Sequence, residues 1–157
     1  MIRYTVSSIE TFLSIPLYVT ALTVTYSSCN ENNIVVVDLS SFKFLRSGVI
    51  GDYCFQHVQE FSIVGLNWLE SVSIGEYSFG SNGSILEGSE FKIVNCPQLK
   101  SLYIGGSSFV RYYGFELSQL PQLISVEIVS DRYNNGNGFG IAPNAVFRGM
   151  NDGTTGL

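Results

Sequence analysis

The sequence predicts a mainly β fold built by repeating one short unit. Three observations carry that expectation. Seven apolar positions recur at offsets 0, 2, 5, 8, 11, 13 and 18 in successive stretches of the 157-residue chain. At both ends of that pattern apolar residues alternate with polar or small ones, the two-residue period of a strand. Between the two ends stand turn formers, and no window carries a helical stripe as long as 10 residues.

The units read as follows. One runs Phe61, Ile63, Leu66, Leu69, Val72, Ile74, Phe79; the next runs Phe91, Ile93, Cys96, Leu99, Leu102, Ile104, Phe109. A third runs Phe115, Leu117, Leu120, Leu123, Val126, Ile128, Tyr133. Upstream, Val37, Leu39, Phe42, Leu45, Gly48, Ile50 and Phe55 keep the same offsets, with one glycine among them. The first unit fits loosely as Tyr4, Val6, Ile9, Phe12, Ile15, Leu17, Leu22. On that reading the unit starts lie 33, 24, 30 and 24 residues apart. A fixed internal period of this size marks a repeat architecture in which no unit can bury its apolar face alone.

Each unit holds two expected strands, at offsets 0–2 and 11–13, as in Val72-Ser73-Ile74 and Leu102-Tyr103-Ile104. Gly65, Asn67, Asn95, Pro97 and Pro121 lie between them and suit a turn. After the second strand comes Ile-Gly-x-x-x-Phe, at 50–55, 74–79 and 104–109. Gly51, Gly75 and Gly105 read there as sharp turns that use backbone angles cheap only for glycine. A phosphate-cradling loop is excluded, since GxxxxGK[ST] is absent and no long helix follows. Residues 1–133 thus form one repeat domain of about five units, and 134–157 a Gly/Asn-rich tail or a degenerate last unit. Extra residues fall at 80–90 and, on this register, at 23–36. Asn82-Gly83-Ser84 is a glycosylation acceptor pattern, short enough to arise by chance.

Composition narrows the function classes. Charged residues are only 13%, and the formal charge is -5 with eight scattered basic residues, so no nucleic-acid footprint is present. Phe12 to Val24 is apolar but too short to span a bilayer. With Glu10 beside it and no small-x-small site after it, it is not a clear signal peptide. Cys29, Cys54 and Cys96 are odd in number and widely spaced, which argues against a disulfide framework. His57 is the sole histidine, so no zinc-ligand spacing exists.

Leu-Lys-Ser-Leu-Tyr-Ile-Gly-Gly-Ser-Ser-Phe at 99–109 and Leu-Glu-Ser-Val-Ser-Ile-Gly-Glu-Tyr-Ser-Phe at 69–79 resemble the irregular leucine-rich repeat of the BspA-like kind. The matching residues are Leu69, Val72, Ile74, Phe79, Leu99, Leu102, Ile104 and Phe109, with Leu123, Val126 and Ile128 in the following unit. The resemblance implies a leucine-rich-repeat solenoid, a curved stack of short parallel strands with two per unit. It also implies a cell-surface or secreted binding or adhesion protein.

The function expected is therefore a non-enzymatic binding or adhesion module that uses an exposed repeat surface. The candidate face is centred on Tyr103, with Lys100, Arg46, Glu70, Glu127 and Ser73 around it. The other reading is a structural segment of a longer array with no ligand of its own. The carboxylates are spread over turns and strands, so no pair is selected for acid–base work and no enzyme is expected. No cofactor and no metal are expected. The partner would be a protein or glycan, not nucleic acid and not a membrane interior; end-to-end self-association follows from the lack of recognisable caps. A recurrent aromatic stripe facing solvent would point to carbohydrate, but Trp68 reads as a surface residue of a turn.

Overall fold

A computed structural model describes residues 1–80, 84–129 and 144–150. The described residues form eleven strands and one short helix. Sheet one takes β1 (Arg3–Val6), β2 (Ala21–Val24), β4 (Ser47–Ile50), β6 (Ser71–Ile74), β8 (Ser101–Ile104) and β10 (Ser125–Ile128), in that order. Sheet two takes β3 (Val36–Asp38), β5 (Glu60–Val64), β7 (Leu86–Val94), β9 (Tyr112–Leu120) and β11 (Asn144–Met150). Every pairing is parallel. From β3 to β11 the chain alternates between the sheets, one strand in each.

Mainly β therefore stands, and the rest of the expected architecture is corrected. The protein is a two-layer parallel β-sandwich, not a single curved sheet. The resemblance to the leucine-rich repeat and the solenoid that it implied both fall with that finding. The physical reason lies in the inner faces. Both strands of a unit bury two apolar side chains, and the sheet-two strands place Phe61, Phe91 and Phe115 inward. Rings of that size need a second sheet opposite them rather than a covering of turns.

Registration follows the shared offsets. Phe61 lies beside Phe91 and Phe91 beside Phe115 in sheet two. In sheet one, Val72 and Ile74 lie beside Leu102 and Ile104, which lie beside Val126 and Ile128. The rings stack along the layers. Phe61, Phe91 and Phe115 form one column, with centroids 5.2 and 4.5 Å apart. Phe55, Phe79 and Phe109 form another, at 5.2 and 4.6 Å. Edge-on contacts join the columns, as between Phe91 and Phe109 at 4.8 Å.

The first unit differs from the sequence register. Tyr4 and Val6 belong to β1, whose partner is β2, so they sit in sheet one rather than opening a sheet-two strand. Leu22 and Val24 lie beside Gly48 and Ile50 and hold offsets 11 and 13. Counting back places offset 0 at Thr11, inside helix α1 (Ile9–Leu13). The helix thus stands where a sheet-two strand would. Ser8 caps it, accepting from the Thr11 N–H while the Thr11 hydroxyl returns to the Ser8 backbone. Ile9, Phe12 and Ile15 pack on the core, and Phe12 meets Phe55 edge-on at 5.6 Å. The helix is a cap that the sequence reading did not find. With this register the extra length assigned to residues 23–36 nearly disappears, since offset 0 moves from Tyr4 to Thr11. The extra residues at 80–90 remain. They lead into β7, which shifts register between Leu86 and Glu90 against β9.

The glycine turns also differ from expectation. Gly51, Gly75 and Gly105 do not carry the positive φ; Tyr53, Phe55, Tyr77, Phe79, Ser107 and Phe109 do, at 55–60°. The alternation lets the corner bond in both directions along the stack. The Tyr53 N–H donates to the Glu76 carbonyl in the following unit, and the Phe79 N–H donates to the Cys54 carbonyl in the preceding one, both at 2.9 Å. These bonds hold bulky residues in a region they rarely adopt. The glycines answer a different demand, close approach of stacked backbones. A Cβ on Gly105 would lie 2.6 Å from the Glu76 nitrogen and the Gly75 carbonyl carbon.

Inside the same corner runs a buried polar ladder. The Ser78 hydroxyl donates to the Gly51 carbonyl at 2.9 Å and accepts from the Cys54 N–H at 3.1 Å. Ser108 repeats this one unit on, donating to Gly75 at 2.8 Å and accepting from Ser78 at 3.0 Å. Cys54 holds the equivalent position and points its thiol at the Thr25 carbonyl, 3.0 Å away. Replacing Ser78 by Ala strands one buried donor and one buried acceptor, a loss of about 1–3 kcal/mol in chemical denaturation. Cys54→Ser restores the ladder's own residue and should stay close to the parent; equal losses in both variants would refute the ladder.

The acceptor pattern at 82–84 lies largely outside the described residues, as do Tyr133, Ile141 and most of the 134–157 tail. No described helix is long and apolar enough to cross a membrane.

Candidate functional site

The face expected to bind is the outer surface of sheet one. Ser73, Tyr103 and Glu127 do lie side by side, as partners across β6, β8 and β10. Arg46, Glu70 and Lys100 form a second row, where the Glu70 N–H donates to the Arg46 carbonyl at 2.7 Å and the Lys100 N–H to the Glu70 carbonyl at 2.9 Å. Arg46 and Glu70 are 3.8 Å apart with both side chains about half exposed, a pair of little energetic weight. Around these residues the sheet presents Ser47, Ser71, Ser101 and Ser125 in register. The result is a hydroxyl-rich surface, with a depression at Met1, Thr20 and Arg46. The proposed mechanism, recognition by the exposed surface of a curved leucine-rich repeat, is overturned with the fold. This face is the outside of a sandwich layer.

The thiols offer no nucleophile. Cys29, Cys54 and Cys96 are free and buried. Burial pushes the Cys29 thiol up to about 12, with Glu31 adding to the shift. Burial likewise raises Cys54 and Cys96. A thiol held protonated attacks nothing. Among the described residues no three His, Cys, Asp or Glu side chains gather as a metal site would require.

A different array appears at the corner that leads from sheet two into sheet one. Four of the five units turn there in the same way, with the N–H at offset 8 donating to the carbonyl at offset 5. The pairs include Val19 to Pro16, Leu45 to Phe42, Leu99 to Cys96 and Leu123 to Leu120, at 3.0–3.2 Å. The tip of the turn, offset 7, is Tyr18, Phe44, Trp68, Gln98 and Gln122 in successive units. The backbones two residues on are hydrogen-bonded unit to unit: Arg46 to Thr20, Glu70 to Arg46, Lys100 to Glu70, Ile124 to Lys100. Tyr18, Phe44 and Trp68 therefore project from neighbouring turns, with a unit spacing of about 4.8 Å. They are 62%, 57% and 51% exposed, which is unusual for three large rings in consecutive units. Arg46 sits over the Trp68 ring, its guanidinium carbon 5.8 Å from the centroid.

This stripe was missed because Trp68 was read alone. The signal was present, since offset 7 could be read across units at Phe44 and Trp68. Tyr18 was hidden by the wrong register of the first unit. In comparison with known proteins, no family model matches the chain, and neither a curated protein nor a solved structure matches it.

Proposed function

We propose that the chain is a non-catalytic carbohydrate-binding module, with a sugar chain lying along Tyr18, Phe44 and Trp68. The observation that carries this reading is the recurrence of an exposed ring at one turn position in three consecutive units. A row of exposed rings on neighbouring turns suits a polymer of flat rings. Apolar C–H faces of the sugar pack on the aromatic faces, which carry large contact area at little entropic cost. Thr20, Arg46, Glu70 and Lys100 run beside the stripe and supply hydrogen-bond partners for hydroxyls. A carbohydrate ligand is compatible with an extracellular or cell-surface location. Self-association through β10, the last strand of sheet one among the described residues, would use another surface and is not required by this reading.

Trp68 is the chain's only tryptophan, so its emission reports on the stripe directly. Titration with soluble β-glucan, xylan and chito-oligosaccharide should give a saturable emission change with at least one. Trp68→Ala, followed by affinity electrophoresis or calorimetry, should weaken that binding about tenfold or more, the scale of an interface hot spot. Tyr103→Ala should leave it unchanged. Silence toward all three polymers, or binding that survives Trp68→Ala, would remove the proposal.

A further inference from the structure

We infer that a second site, built from segments other than those of the stripe, binds a small oxyanion such as a phosphate or carboxylate group. It is a cleft of about 80 Å³ lined by Asn32, His57, Gln59, Gly80, Arg111 and Tyr112, among others. Arg111 is the residue just before β9. Its backbone carbonyl accepts from the Leu86 N–H at 2.8 Å, and its Nε donates to the Ser84 carbonyl at 3.2 Å. Those two bonds fix the root and one edge of the guanidinium. They leave its terminal nitrogens available to a ligand. Arg111 has no ion pair among the described residues, and no described carboxylate lines the cleft.

The surroundings are built around this cation. Gly80 has φ +75°, and a Cβ there would stand in ordinary van der Waals contact with the Arg111 Cδ at 3.4 Å, so the side chain lies directly beside the turn. The Tyr112 hydroxyl donates to the Val58 carbonyl at 2.7 Å and ties the segment that carries His57 to the start of β9. His57 is the only histidine of the chain, and it lines the same cleft. A guanidinium fork offers two parallel donors to an oxyanion. The imidazole and the amides of Asn32 and Gln59 can donate from the other walls. In a chain with 13 acidic and eight basic residues, a cation that faces a cleft without an acidic partner is the feature that selects the ligand's sign. The cleft volume limits the bound part to a single group of this kind.

His57 gives one set of imidazole ring signals in NMR, so no assignment is required to follow it. The protein is titrated with sodium phosphate and with sodium acetate, each against sodium chloride at matched pH and ionic strength. The expected result is a saturable shift of the His57 signals with phosphate, acetate or both, and none with chloride. Saturation by phosphate alone assigns a phosphate group; saturation by acetate alone assigns a carboxylate. Arg111→Gln should weaken the effect about tenfold or more, as loss of a charge-assisted hydrogen bond implies. Should that variant fail to fold, Arg111→Lys carries the test, because it keeps the charge and removes the fork. Shifts that follow chloride without saturating, or an unchanged affinity in a folded Arg111 variant, overturn the inference.

Discussion

Replacing Phe91 by Ala should cost about 3–5 kcal/mol of unfolding free energy, the range for an aromatic side chain removed from a filled core. Phe91 is fully buried. Its ring stacks on Phe61 at 5.2 Å and on Phe115 at 4.5 Å, and it meets Phe109 edge-on at 4.8 Å. It therefore joins both ring columns, that of sheet two and that of the corner that follows the sheet-one strands. Its backbone is ordinary strand, without the positive φ of Phe79 and Phe109, so the change reads packing alone. Guanidinium denaturation is the measurement. A loss below about 1 kcal/mol, far under the usual cost of such a cavity, would mean that the rings are not packed as described.

The second large effect concerns Gly105→Ala. The added methyl would stand 2.6 Å from the Glu76 nitrogen and from the Gly75 carbonyl carbon, and 2.8 Å from the Gly75 oxygen. All three are backbone atoms of the neighbouring unit, so no side chain can swing aside. The stack must open locally, against the 2.8 Å hydrogen bond from the Gly105 N–H to the Ile74 carbonyl. The expected cost is about 3 kcal/mol or more, at the upper end for overpacking. Gly88 is the control: nothing lies within 4 Å of a Cβ there, although its φ of +85° carries strain of its own. A Gly105→Ala variant no less stable than Gly88→Ala would show that close approach is not what demands glycine.

Much of this architecture could be read from the residues, for one physical reason. Alternation reports which side chains of a strand face inward, and the shared offsets report which strands lie beside each other. That made Phe61, Phe91 and Phe115, or Val72, Leu102 and Val126, legible as rows. Alternation carries no information about what an inner face packs against. One curved sheet and two facing sheets give the same pattern, and the wrong one was expected. The first unit failed for a related reason. Ile9 and Phe12 in α1 are apolar and three apart, which matched offsets 5 and 8 although the segment is helical. Among site residues, Ser73, Tyr103 and Glu127 do form the row that alternation predicts, whereas Arg46, Glu70 and Lys100 precede the strands and owe their alignment to the turn, not to alternation. The stripe was not found, because turn positions have no period within a unit and emerge only when units are compared. The Arg111 cleft joins segments around residues 32, 57, 80 and 111, which no local pattern links.

The corner that carries Tyr18, Phe44 and Trp68 works as a ruler. From offset 5 to offset 13 no unit gains or loses a residue, although the distance between unit starts is 24 residues in one case and 30 in another. The extra residues enter only after the second strand, on the far side of the cross-section. The pitch of the three rings is consequently set by strand-to-strand hydrogen bonding and not by how long each unit is. Insertions can remodel the opposite rim, including the surroundings of Arg111, while the graduations of the ruler stay where they are.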